Sequence, residues 1–68
     1  MFAEELIQSA LADQDSWFVG DYLLLYENRE ASPEAVANEI AQRNDLRLER
    51  FDDDARHSYR FWRRYRAA

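Results

Sequence analysis

The stretch 51–66, FDDDARHSYRFWRRYR, limits the folds open to this chain more than any other. It holds Phe51, Tyr59, Phe61, Trp62 and Tyr65, five of the nine Arg residues and the only His. Rings seek burial and guanidinium groups keep their water, so the run needs two separable faces. At about 100° per residue, the five rings with Ala55 and Ser58 fall within an arc of roughly 160°. Arg56, Arg60, Arg63 and Arg64 gather on the opposite arc. Asp52, Asp53 and Asp54 suit a helix N-terminus, and Arg63, Arg64 and Arg66 suit a C-terminus. The periodicity predicts a final helix, with Asp52–Arg56 and Asp53–His57 as i,i+4 pairs.

The earlier chain reads the same way. Residues 2–13, FAEELIQSALAD, place Phe2, Leu6, Ile7, Ala10 and Leu11 on one helical face. Residues 33–43 carry stronger helix signals: Ser32 as N-cap, Pro33 in the first helical position and Glu34 in the first turn. Val36, Ala37, Ile40 and Ala41 form its narrow apolar stripe, and Asn44 is its expected stop. Residues 17–29, WFVGDYLLLYENR, fit a central helix with two apolar faces. They also fit a hairpin turning at Gly20–Asp21. Residues 45–51, DLRLERF, alternate Leu46 and Leu48 with Arg47 and Glu49. They serve as a connection, either a short edge strand or a helical turn. The expected architecture is therefore all-α, a compact bundle of about four short helices over residues 1–68 as one domain. The alternative is α+β with a small hairpin at 17–27.

Composition bounds function. The 68 residues contain no Cys, which excludes disulfides and thiolate metal sites. No apolar run reaches the length of a membrane span, and the acidic start MFAEEL does not suit a signal peptide. These readings point to a cytoplasmic protein with no membrane partner. The net charge is −5. It is uneven: eight carboxylates face one Arg in residues 1–34, and six face eight Arg in residues 35–68.

Catalytic chemistry finds little support. His57 and Ser58 are adjacent and would not face each other on a helix. The Asp triplet lacks the alternating ligands, Gly and distant Glu of a calcium loop. The expectation is no enzyme, no metal and no cofactor. Val36–Ala41 resembles the first half of a helix-turn-helix, yet residues 44–51 are too long for its turn. The sequence thus points to a small non-enzymatic binding module that occupies a surface of a larger protein or complex, including a nucleic-acid-handling one. Small inhibitors from phages and other mobile elements are a class of this size and charge. Direct nucleic-acid binding through the Arg-rich end is the second reading, and a homo-oligomeric structural subunit is the third. The residues expected to carry binding are Arg56, Arg60, Arg63, Arg64, Tyr65 and Trp17, since Arg and aromatics dominate interfaces.

Overall fold

The computed structural model describes residues 2–25, 27–28, 30–53 and 56–64. The chain runs α1 (Phe2–Asp13), β1 (Ser16–Gly20), α2 (Asp21–Leu25), α3 (Pro33–Arg43), β2 (Leu46–Asp53) and β3 (Arg56–Arg63). The strands form one antiparallel sheet in the order β1-β3-β2. The fold is α+β, and the all-α bundle expected from helical periodicity is wrong.

Two expected helices form with the bounds that their sequence signals predict. In α3, Ser32 Oγ accepts a hydrogen bond from Ala35 N, and Pro33 occupies the first helical position. Its Val36, Ala37, Ile40 and Ala41 stripe is buried. At the far end Asn44 N and Nδ2 both donate to Ile40 O. The left-handed residue is the next one, Asp45, at φ 55°. Asp tolerates that region, and it turns the chain from α3 into β2.

Residues 17–25 form neither a single helix nor a hairpin. β1 ends at Gly20 and α2 starts at Asp21. Gly20 marks a close approach: a Cβ there would stand 2.7 Å from Tyr22 Cε1. The ring of Tyr22 folds back over the strand end, and a side chain at position 20 would have to displace it.

The largest correction concerns the C-terminus. β2 pairs antiparallel with β3 in a register that runs without a bulge from Leu46↔Arg63 to Asp53↔Arg56. Within the final helix expected over 51–66, residues 51–53 end β2 and 56–63 form β3, the central strand; 54–55 and 65–66 lie outside the described residues. The expected i,i+4 pairs go with it. His57 Nδ1 lies 2.7 Å from Asp52 Oδ1, its cross-strand partner.

Strand alternation then sorts the sheet's residues. One face presents Val19, Leu46, Tyr59 and Phe61, all buried, to the helices. Ile7 and Leu11 of α1, Leu24 of α2 and the α3 stripe complete the core. Trp17 and Leu48 pack at its margin. Glu4 ties α1 to α3 by accepting from Arg43 Nη2 at 2.7 Å and Asn44 Nδ2 at 2.8 Å. Among the described residues no helix is long and apolar enough to cross a membrane.

Candidate binding face

The other side of the sheet carries no helix. Its positions are Ser16 and Phe18 on β1, Ser58, Arg60 and Trp62 on β3, and Arg47, Glu49 and Phe51 on β2. Register brings them into rows. Ser16, Trp62 and Arg47 lie abreast, and Phe18, Arg60 and Glu49 form the next row.

These side chains form a connected cluster. The Arg47 guanidinium stands over the Trp62 ring, 5.0 Å from its centroid. The Arg60 guanidinium lies 5.8 Å from the Trp62 centroid and 5.2 Å from that of Phe18. Phe18 and Phe51 meet across the width of the sheet, with centroids 5.6 Å apart and planes tilted by 52°. Polar atoms fix the geometry: Trp62 Nε1 donates to Glu49 Oε1 at 3.0 Å, and Arg60 Nη1 donates to Ser16 Oγ at 3.1 Å. Each cation–π contact contributes about 0.5–1 kcal/mol at an exposed site. The cluster is therefore preorganised, yet it remains open. Phe18 keeps 46% of its surface in water and Phe51 keeps 37%.

The residues expected to bind a partner are dispersed by this fold. Arg60 is on the open face, at the centre of the cluster. Trp17 is on the helix side, half-buried against the core. Arg63 also leaves the open face: its backbone N donates to Asp15 O and its Nη2 to Asp15 Oδ1, both at 3.0 Å. Its Nε–H is buried without a partner among the described residues. Arg64 Nε lies 3.4 Å from Asp45 Oδ1. Arg56 opens β3 opposite Asp53. Its side chain, like the whole of Tyr65, lies outside the described residues.

Arg47, Phe18, Phe51 and Trp62 are the members of the cluster absent from the expected site. The alternation Leu46-Arg47-Leu48-Glu49 was their available signal. It placed Arg47 and Glu49 together on the face opposite Leu46 and Leu48.

Other grooves carry less organised chemistry. A cleft of ≈ 720 Å³ lies between β1, α2 and His57. His57 and Ser58 are neighbours on a strand, so they point to opposite faces and form no dyad. Ser32 lines a second groove with Asp52 and His57, and its Oγ is engaged as the α3 cap. Among the described residues no group of three His, Cys, Asp or Glu side chains is placed to hold a metal ion.

No protein family, curated protein or solved structure matches the chain.

Proposed function

We propose that this protein is a non-catalytic protein-binding module whose open sheet face docks on a larger protein or complex. One observation carries the reading: the Arg47–Trp62–Arg60–Phe18–Phe51 cluster lies on the sheet face that, among the described residues, has no helical layer. Arg, Trp and other aromatics supply most binding energy at interfaces, above all when they are held rigid before contact. Here cross-strand pairing sets their positions, and Glu49 and Ser16 orient Trp62 and Arg60. Two Arg against one Glu give the described face a cationic bias in a chain of net charge −5. That contrast favours an acidic partner surface and steers the approach.

A second reading follows from the same chemistry. Aromatics on an antiparallel sheet with Arg beside them can stack unpaired bases. The guanidinium groups already standing over Trp62 and Phe18 favour a protein partner, because a base would have to displace them.

The test is affinity capture from a lysate of the source cell with three proteins. Arg60→Glu combined with Phe51→Ser should abolish capture while the circular dichroism stays unchanged. Glu39→Lys, on the exposed side of α3, should capture as wild type. Equal capture by all three would remove the open face as the site. A gel shift with single-stranded RNA or DNA that weakens steeply with salt would move the assignment to nucleic acid.

A further inference from the structure

The sheet has two edges, and they differ. β1 is five residues long, whereas β2 is eight. β2 contains no Gly, Pro or Lys, and its register with β3 has no bulge. Proteins protect edges with short strands, Pro, Lys and bulges. The β2 edge has none of these; its protection is limited to charged side chains, Arg47, Glu49, Arg50 and Asp52 among them.

The direction of its free peptide groups follows from one bond. Arg63 N donates to Asp15 O, on the β1 side of β3. Successive residues of an antiparallel strand turn their N–H and C=O to alternate sides. Arg63, Phe61, Tyr59 and His57 therefore serve β1, and Trp62, Arg60, Ser58 and Arg56 serve β2. Their β2 partners are Arg47, Glu49, Phe51 and Asp53. The peptide groups of Leu46, Leu48, Arg50 and Asp52 are left pointing outward, and among the described residues no hydrogen bond reaches them.

We infer that a second copy of this chain fills that edge, β2 pairing antiparallel with β2 about a two-fold axis at Leu48. Such an axis stands perpendicular to the sheet and keeps the two helical layers on the same side. Side chains favour this register over those centred on the next two residues. Centring on Leu48 sets Leu48 against its own copy, Arg47 against Glu49 of the second copy twice over, and Leu46 against Arg50. Centring on Glu49 would oppose two carboxylates, and centring on Arg50 would oppose two guanidinium groups. Like charges directly opposite destabilise a pair, and opposite charges stabilise it. The outward groups of Leu46, Leu48 and Arg50 would then exchange about six backbone hydrogen bonds. The half-buried Leu48 at the core margin would gain apolar cover. The product is a six-stranded sheet carrying two copies of the open aromatic and Arg cluster on one surface.

Sedimentation equilibrium of the full chain tests this, with amide exchange as the second readout. Wild type should show twice the monomer mass, with amide protection at Leu46, Leu48 and Arg50 that rises with concentration and stays absent at Asp52. Arg50→Pro removes one outward N–H, a change that edge strands accept. It should be a folded monomer. Arg47→Glu should weaken the dimer about tenfold or more, and Arg47→Glu with Glu49→Arg should restore it. A wild-type monomer at every soluble concentration would overturn the inference. So would a dimer that persists in folded Arg50→Pro, or a double exchange that rescues nothing. Should Arg50→Pro fail to fold, the charge-exchange pair decides alone.

Discussion

Phe61 shows what a single position decides. Its side chain is 0% exposed, and its neighbours Arg60 and Trp62 on the same strand face the other way. Phe61→Ala should cost about 3–5 kcal/mol, the range for truncating a buried aromatic. A domain this small holds about that much in total. The variant should be largely unfolded at room temperature by circular dichroism. Glu4 is the other decisive side chain. Hydrogen bonds from Arg43 and then Asn44 hold its carboxyl below the ordinary 4.5. A carboxyl with a lowered folded value stabilises the fold above its unfolded value and loses that contribution as pH falls through the folded one. Denaturation midpoints should therefore drop between about pH 4.5 and the lowered value, and Glu4→Gln should flatten that acid limb. An unchanged acid limb in the variant would mean that the α1–α3 tie contributes nothing. Tyr59 behaves in the opposite sense. Burial, with Glu34 nearby, pushes its phenol above the ordinary range.

At the scale of elements, helices and strands differ in how much they owe to their own residues. α3 carries its cap, its Pro, its acidic first turn and a closing Arg43 locally. Ser32→Ala should cost about 1 kcal/mol by urea denaturation, since the Ala35 N–H loses its acceptor. No shift in midpoint would show that the cap is replaced by water. β2 alternates from Leu46 to Glu49, but β3 has no comparable local signature. A strand with one wet face usually alternates apolar and polar residues. β3 reads Ser58-Tyr59-Arg60-Phe61-Trp62, with a ring on each face, because the open side holds Trp62 under guanidinium cover. In the sequence, Tyr59, Phe61 and Trp62 also satisfy a helical stripe. Residues with two acceptable periods carry no local preference strong enough to choose.

For the whole molecule, β3 is the element on which the others depend. It bonds to both other strands and sends Tyr59 and Phe61 into the helical layer. Amides of the central strand should exchange only through global unfolding, while outward amides of a monomeric β2 exchange freely. Hydrogen exchange that found β3 as open as α1 would contradict this hierarchy. The two layers also separate charge. Glu5, Asp13, Glu30 and Glu39 are exposed outside the sheet, and Arg47 and Arg60 stand on its open face.

By itself the sequence determined α1 and α3, the absence of thiol chemistry and the concentration of Arg and rings at the C-terminal end. Those properties reside in neighbouring residues: caps, i,i+4 stripes and composition. Tertiary structure alone decided that the C-terminal run is strand, that Gly20 is a corner and that Arg60 parts company with Arg63. The physical reason is that a strand is completed by partners elsewhere. β3 gains its second set of hydrogen bonds from β1, whose Trp17 pairs with Phe61 across the sheet. No local pattern in 51–66 encodes that pairing. The aromatic and Arg cluster follows from it, since Phe18, Phe51 and Trp62 come from three strands and meet only once the sheet has formed.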